Sequence, residues 1–549
     1  GGAADAELLA DHFLAGGEEE RAMEYTIVAA EQAERALAFD RAARLYRRVL
    51  DLLPAESDRR AQLQCKLGDA LTNAGRGAEA AAAYLAVTGL SLQKTLELRR
   101  KAAQQLLFAG HIDEGLSVLQ SVLTSVGMRL PEMRRGMLFS LLVRRARLAL
   151  RGTRFRQRDE MSIPPEVLMR VDTCWSVSVG LSIVDTLRGA VFQTQQAIEA
   201  LHSGELHRVT RAMCTEWGYS TVRGSATRRR SLKLQKRAKE LVESANTPYA
   251  HALFRLCEGI GHFLNGRWRH GREASMAAEQ MLLDGCTGVI WELDNARFFS
   301  FYCHLYLGEM KMAATRYPLL VDEAQTRGDL YAWTIFRLHS HPVYLCADNP
   351  MEGREVVADS IRRWSQTGSQ VHTMLQVWAE ADIAIYERRG SLAWTGVEQR
   401  WDALKAALLL HVQFNKVIML DVRGRAALAA VDEGAPSGQF VREAERAAKL
   451  IDRERTDWGL PMAELLRAGI DVRRRRKDAA IRRLEAAEDL FGAVDMNLHR
   501  AVAQRRRGEL IGGSEGQALI SASEAWMDAE GIRNPERLAY LYAPWASQS

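Results

Sequence analysis

The feature that most constrains this sequence is a helical hairpin pattern that recurs about every 35 residues. In its clearest copy, Leu67-Gly68-Asp69-Ala70-Leu71 precedes a turn at Gly75, and Ala80 and Tyr84 follow that turn. Small residues let two helices approach closely, the turn glycine ends the first helix, and the aromatic ring fills the space between the helices. The same pattern returns around Gly110. It predicts antiparallel helix pairs that follow one another along the chain.

Further turns are predicted along the rest of the chain, where their spacing grows to about 40 residues. They lie at Gly266, Gly308, Asp348–Pro350, Gly390, Gly434, Arg474–Lys477 and Gly508. Each hairpin has apolar residues on both faces and can bury them only against its neighbours. Sustained period-two alternation, which would favour strands, is missing. We therefore predict an all-α fold, an α-solenoid or superhelix of stacked helical hairpins.

The pattern divides the chain into three predicted parts. Residues 1–130 contain the regular hairpins, 131–230 form an irregular helical segment with an arginine-rich stretch, and 231–549 contain more degenerate repeats. With 47% hydrophobic residues and only 12 prolines, the chain has too much apolar content to be disordered. No apolar run approaches the roughly 18 residues of a membrane-spanning helix, so we expect no membrane span.

The cysteines indicate where the protein functions. The chain has seven, an odd number, and none forms a C-x-x-C pair. An odd number of cysteines without such a pair is typical of proteins whose thiols stay reduced in the cytosol, so we expect a cytoplasmic protein. The sequence opens with Gly-Gly-Ala-Ala and lacks an initial methionine, which we interpret as the sign of a piece of a longer protein.

Several sequence blocks extend the pattern beyond single hairpins: Ala42–Arg48, Gly110–Leu116, Cys174–Val177, Trp291–Asp294, Trp526-Met527 and Gly531–Pro535. The hairpins of residues 20–125 resemble tetratricopeptide (TPR) repeats. Together, the blocks resemble the C-terminal region of large bacterial signalling proteins, in which a serine/threonine kinase domain and a STAND-type (AAA-like) P-loop ATPase precede a helical repeat arm. The resemblance implies a sensor or regulatory arm that binds a partner and controls the upstream ATPase and kinase domains.

Catalytic and metal-binding motifs bear separately on the function of this chain. The chain has no G-x-x-x-x-G-K-[ST], H-R-D or D-F-G motif, so we predict that these residues form no enzyme. Gly512–Gly516 matches G-x-S-x-G, but no histidine follows Ser514, and we interpret the segment as a loop with Ser514 as a helix N-cap. No histidine or cysteine pair has the local spacing of a zinc site. We expect no cofactor and no metal.

The first candidate partner site is apolar. If the hairpin register holds, first-helix residues line the concave face of the superhelix, and an apolar row there could bind a peptide or a helix. The residues concerned are Leu256, Ile260, Phe263, Phe298 and Tyr302.

The second candidate site is basic. Arg134 to Arg158 contains nine arginines and no acidic residue, and Arg144, Arg147 and Arg151 are candidate contact residues. Such a stretch could bind nucleic acid, an anionic lipid or an acidic partner. It also fits a solenoid helix that packs an apolar side inward and points its arginines into solvent, and we favour that interpretation. That apolar side consists of Leu138, Phe139, Leu141 and Leu142.

The predicted function is recognition. We expect a protein-interaction and sensor arm of a multidomain bacterial signalling protein, which binds a protein or peptide on its concave surface. One alternative is a free-standing TPR scaffold. The other is a regulator that binds nucleic acid or an anionic surface through Arg134–Arg158.

Overall fold

A computed structural model of the chain describes residues 5–128, 134–182, 185–364, 370–407 and 409–545. These residues form 28 α-helices and three short 3-10 helices, and they contain no β-strand. Most consecutive helices pack against each other as hairpins; α8 is an exception and packs on α10. The predicted all-α solenoid of stacked hairpins is confirmed.

The helices up to residue 245 are α1 Ala6–Ala15, α2 Glu19–Arg35, α3 Phe39–Leu52, α4 Arg60–Asn73, α5 Gly77–Leu85, α6 Leu92–Phe108, α7 Ile112–Ser125, α8 Arg134–Arg151, α9 Pro165–Gly180, α10 Thr186–Ser203, α11 Leu206–Thr221 and α12 Arg228–Ala245. The following helices up to residue 406 are α13 Pro248–Leu264, α14 Trp268–Gly285, α15 Ile290–Leu307, α16 Met310–Arg327, α17 Leu330–Leu338, α18 His341–Cys346, α19 Pro350–Arg363, α20 Gln370–Tyr386 and α21 Gly390–Ala406. The last helices are α22 Gln413–Asp432, α23 Ser437–Glu454, α24 Gly459–Arg473, α25 Lys477–Ala493, α26 Asn497–Ile511, α27 Gly513–Ala529 and α28 Pro535–Tyr542.

The hairpin of α4 and α5 shows why the local pattern folds as it does. Tyr84 lies against Gly68, where an added Cβ would come within 2.5 Å of the tyrosine ring. The Tyr84 hydroxyl donates to Asp69 Oδ1 over 2.6 Å. The glycine therefore allows the close helix contact, and the ring fills the crossing and satisfies its own hydroxyl.

One predicted turn and one predicted cap are wrong. Gly508 lies inside α26, and the chain turns at Gly512. Gly508 is small for a different reason: an added Cβ would lie 2.6 Å from the carbonyl oxygen of Gly516, where α26 and α27 cross. Helix α27 begins at Gly513, so the N-cap is Gly512 and Ser514 lies in the first turn of the helix.

The superhelix turns tightly. We call the first helix of each hairpin an inner helix; from α4 onward these are α4, α6, α9, α11, α13, α15, α17, α20, α22, α24, α26 and α28. Three backbone hydrogen bonds connect hairpins that are distant in the chain. In each, an N–H at or near the start of an inner helix donates to a carbonyl that closes the first half of an earlier hairpin. The pairs are Tyr331 N–H to Ala109 O (3.2 Å), Gln413 N–H to Val222 O (3.1 Å) and Arg533 N–H to Cys346 O (2.9 Å). In each case the two hairpins are five apart in the chain. For example, the hairpins that begin at α6, α9, α11, α13 and α15 make up the five that come before α17. Successive superhelical turns therefore lie directly against each other.

No helix in the described ranges is both long enough and apolar enough to cross a membrane. All seven cysteines are free thiols, and five of them are buried.

Candidate functional site

The axis of the middle of the superhelix is filled with aromatic rings, most of them from the inner helices and their ends. Phe263 on α13 lies 4.8 Å, centroid to centroid, from both Tyr302 on α15 and Phe414 on α22. The rings around them belong to Trp268, Phe298, Tyr306, His339, Trp378 and Trp458. Because a turn of five hairpins is narrow, inner-helix side chains meet across it and leave the axis packed.

This packing overturns the predicted apolar binding row. Leu256, Phe263, Phe298 and Tyr302 are each no more than 5% exposed, and Ile260 is partly buried. The four buried side chains contact other parts of the same chain, so they cannot form an open surface for a partner. The register placed them on inner helices, but it held no information on how tightly the superhelix turns.

The arginine-rich stretch is also oriented differently from the expectation. In α8 the inward face holds Arg144, Arg145 and Arg151, which bind polar groups on α10 and α11. Arg145 Nη1 lies 2.7 Å from both carboxylate oxygens of Glu216, which is 1% exposed. Arg144 Nε donates to Gln195 Oε1 (2.8 Å), and Arg151 Nη2 donates to the carbonyl of Leu201 (2.7 Å).

The favoured interpretation, with Leu138, Phe139, Leu141 and Leu142 packed inward and the arginines in solvent, therefore holds, among these apolar residues, only for Leu141, which packs against the core. Phe139 is 70% exposed. Of the three arginines proposed as contact residues, Arg144 and Arg151 are engaged inside the protein and Arg147 is exposed. The cause lies outside α8, since Glu216 is a buried carboxylate that needs a cation. The predicted segment 134–158 includes the side chains of Arg134 and Arg135, which lie outside the described residues.

A set of polar side chains on the inner helices of the N-terminal half has no local signature in the sequence. We call it the inner groove; α6, α9 and α11 each contribute two residues to it, spaced three or four apart so that both lie on one helix face. Its residues are Arg100, Gln104, Asp172, Ser176, Arg208 and Arg211. Arg208 and Arg211 each keep 19% and Asp172 17% of their side-chain area exposed.

Asp172 is shared by two arginines. Its carboxylate accepts hydrogen bonds from Arg208 Nη2 (2.9 Å) and from Arg211 Nη2 (2.5 Å). Burial alone would raise the pKa of Asp172, but the charges of Arg211, Arg100 and Arg208 outweigh it and lower the pKa to about 2. The Arg211 guanidinium also lies 4.8 Å from the Trp175 ring centroid, a cation–π contact that fixes its orientation.

Arg100 differs from the other two arginines. Its Nη1 donates to Gln104 Oε1 (2.9 Å) and to Ser176 Oγ (3.4 Å), both neutral groups, and within the described ranges it forms no ion pair. Burial lowers the pKa of Arg100; the charge of Asp172 opposes this shift, and the charge of Arg211 adds to it. A guanidinium in this position favours an anion, because carboxylates and phosphates accept its fork of donors.

The groove has no metal-binding character. Within the described parts of the chain, no group of three or more His, Cys, Asp or Glu side chains is placed to hold a metal ion. It brings three guanidinium groups together: Arg208 pairs with Asp172, Glu160 and Glu205, Arg211 pairs with Asp172, and Arg100 has only neutral hydrogen-bond partners among the described residues.

No protein-family model matches the chain, and no curated protein matches it. Among solved structures, it is similar to that of the APC/C hetero-tetramer Cut9–Hcn1, with a TM-score of 0.35 and 12% identity over 91% of this chain and 96% of that one. It is also similar to yeast Tom70, with a TM-score of 0.30 and 11% identity over 96% of this chain and 99% of that one. Likenesses of this size say nothing about a shared function.

Proposed function

We propose that this chain is the protein-interaction and sensor arm of a multidomain bacterial signalling protein, and that it recognises an acidic segment of a protein or peptide in the inner groove. The observation that supports this most directly is Arg100. It is partly buried beside Asp172, whose carboxylate is already bonded to Arg208 and Arg211. An acidic side chain of a partner would supply the missing carboxylate without displacing any ion pair.

The signalling context rests on the sequence blocks that resemble the helical arm of kinase and STAND ATPase proteins. A superhelix whose turns are hydrogen bonded to each other is a suitable arm, since a load at one end is transmitted through direct contacts as well as along the chain. The alternative of nucleic-acid binding through Arg134–Arg158 is weakened because Arg144, Arg145 and Arg151 are bound inside the protein.

Binding is tested with short fluorescein-labelled peptide pools, enriched in Asp and Glu, in Lys and Arg, or in Ser and Gln, all without large apolar residues. The acidic pool should raise the fluorescence anisotropy most, and Arg100→Gln should weaken its binding about tenfold, as expected for loss of a charge-assisted hydrogen bond. Arg99→Gln is the matched control, because Arg99 is the preceding residue of α6 and is exposed. Equal weakening by both variants, or preference for the basic pool, would refute an anion-binding groove.

The signalling part is tested in a longer natural chain that contains the ATPase or kinase domain together with these residues. The acidic pool should change its rate of ATP hydrolysis or phosphoryl transfer, and Arg100→Gln should remove the change while leaving the basal rate intact. If a peptide binds but the rate does not change, the anion-binding groove stands and the sensor role is refuted.

A further inference from the structure

Helix α8 has apolar residues on two sides: Met137 and Leu148, each 4% exposed, face the protein, and a second apolar side faces solvent. The residues that point outward form what we call the α8 stripe: Leu138, Phe139, Leu142, Val143, Ala146 and Leu150. Phe139 is 70%, Leu142 68% and Leu150 90% exposed. Scattered exposed apolar residues are ordinary, but a continuous apolar row along more than two turns of one helix is typical of an interaction surface.

The orientation of α8 is fixed by its inner side. Arg145 is bound to Glu216, which also accepts from Arg230 Nη2 over 2.5 Å, and Arg144 and Arg151 are bonded to groups of α10. Turning the stripe inward would leave the Glu216 carboxylate buried without Arg145, which is costly. These contacts therefore keep the stripe on the outside, and α8 cannot rotate to bury it.

The charges around the stripe indicate what can cover it. Arg147 lies on the outward side of α8, and Arg154 and Arg156 follow its C-terminal end; all three are exposed. No carboxylate among the described residues lies within 4.0 Å of these guanidinium groups. The sequence from Arg134 to Arg158 contains no acidic residue. A second copy of this chain would bring like charges together, whereas an acidic partner would neutralise them.

The spacing of the stripe favours a helix over a bilayer as the occupant. Phe139, Leu142 and Ala146 are separated by three and four residues, which is the seam along which two helices pack. Ala146 is small and leaves a depression between Leu142 and Leu150 that a partner side chain can enter. The segment from Arg134 to Arg158 has no Trp or Tyr, the residues that form the aromatic belts at membrane interfaces.

We infer that the α8 stripe is a docking site for an amphipathic, acidic helix of a partner protein, distinct from the inner groove. The partner helix places its apolar seam on Phe139, Leu142 and Leu150 and its carboxylates beside Arg147, Arg154 and Arg156. This deepens the proposed role in protein interaction by adding a second surface, and it rests on that role.

The probe is a synthetic helix of about 20 residues, long enough to match α8, with leucine at the seam positions and glutamate on the flanks. Binding is followed by fluorescence anisotropy, together with a version that has lysine in place of glutamate. The acidic helix should bind the wild type, and the lysine version at least ten times more weakly. Leu142→Glu should weaken binding at least tenfold, whereas Leu319→Glu, at a leucine that is 67% exposed on α16, should not.

A charge exchange makes the test independent of any folding defect. In one preparation, Arg147→Glu should weaken binding of the acidic helix and strengthen binding of the lysine helix. Absence of binding by the acidic helix at 100-fold excess over the protein, or equal binding by the Leu142→Glu protein, would overturn the inference. The inference would also be overturned if the protein bound vesicles of equal parts phosphatidylcholine and phosphatidylserine but not the helix. It would be overturned as well if the protein were a dimer that Leu142→Glu dissociates.

Failure of the stripe is distinguishable from failure of the inner groove. The disordered acidic pools used for the groove contain no apolar seam, and Arg100→Gln should leave binding of the designed helix unchanged. Loss of helix binding with retained pool binding refutes the stripe alone.

Discussion

The backbone N–H of Tyr331 in α17 donates a hydrogen bond to the carbonyl of Ala109 at the end of α6, at 3.2 Å. Two inner helices that are five hairpins apart in the chain are thereby joined end to end. Gly110, the next residue, adopts a left-handed backbone with φ of 87°. An added Cβ there would lie 2.7 Å from the amide nitrogen of Tyr331, so the contact between superhelical turns requires glycine.

Replacing Gly110 with alanine should destabilise this contact. Gly127→Ala is the control, because Gly127 also has a left-handed backbone, φ 69°, but open space around it. The control should cost about 1–2 kcal/mol through backbone strain. Gly110→Ala should cost a further ~1–3 kcal/mol from overpacking. Urea denaturation measures both, and equal losses would mean that the two superhelical turns are not in contact in solution.

The hairpins were predictable from the sequence because their contacts are local. Gly68 and Tyr84 meet within one hairpin, and the turns at Gly75 and Gly110 have the residue type that a left-handed backbone requires. The number of hairpins per superhelical turn was not predictable, since it depends on pairs such as Ala109 and Tyr331 that are distant in the chain. The filled axis around Phe263 follows from that number.

The direction in which α8 faces was unpredictable for a related reason. Apolar residues and arginines both occur around much of this helix, so more than one side could face the protein. The choice is made by Glu216, a buried carboxylate on α11 that binds Arg145. The inner groove was not predictable because Arg100, Asp172 and Arg211 lie on three separate helices and form no local motif.

Phe263 should be a determinant of stability. It is 2% exposed and packs on Tyr302 and Phe414, so Phe263→Ala should cost about 3–5 kcal/mol of unfolding free energy. Phe139→Ala, at a ring that is 70% exposed, should change stability by less than about 0.5 kcal/mol. Chemical denaturation of both variants decides the matter. A near-neutral Phe263→Ala would restore the idea of an open concave surface.

The buried ion network of α20 and α22 should also be needed for folding. Arg425, 3% exposed, binds Asp382 Oδ1 (2.9 Å) and Asp421 Oδ2 (2.6 Å). Asp382→Asn removes one of the two charges and should cost about 3 kcal/mol, because Arg425 is left with a single carboxylate. Asp402, paired on the surface with Lys405, is the control, and Asp402→Asn should be indistinguishable from the wild type by thermal unfolding. Similar behaviour of the two variants would contradict a buried, tightly held network.

Asp382 also makes stability depend on pH at the acidic end. Burial raises the pKa of Asp382, but the charge of Arg425 and the hydrogen bond with His341 outweigh it and lower the pKa. Because the folded state releases the proton more readily than the unfolded state, this contribution is present above about pH 4 and lost as the pH falls further. The Asp382→Asn variant should therefore approach the wild type in stability under acidic conditions.

A pair of buried carboxyl groups should act in the opposite direction. Asp294 and Asp329 are hydrogen bonded to each other, and burial together with the Asp294 charge raises the pKa of Asp329 well above its usual range. Arg327 Nη2 binds Asp294 at 2.8 Å, so Asp294 holds the charge and Asp329 the shared proton. Folding above about pH 4 therefore takes up a proton. The contribution of Asp329 to stability is complete below that pH and falls as the pH rises toward its folded pKa.

Asp329→Asn tests this sign. Asparagine can still accept the N-cap hydrogen bond that Asp329 receives from Ala332 N–H, at 2.8 Å, but needs no proton to be buried. The variant should gain stability relative to the wild type as the pH rises from about 5 to 8, measured as the urea midpoint at each pH. Asp322→Asn, at an exposed residue of the preceding helix, should follow the wild type throughout. If the Asp329→Asn and wild-type curves run parallel, the proton is not taken up on folding and the pair does not share it.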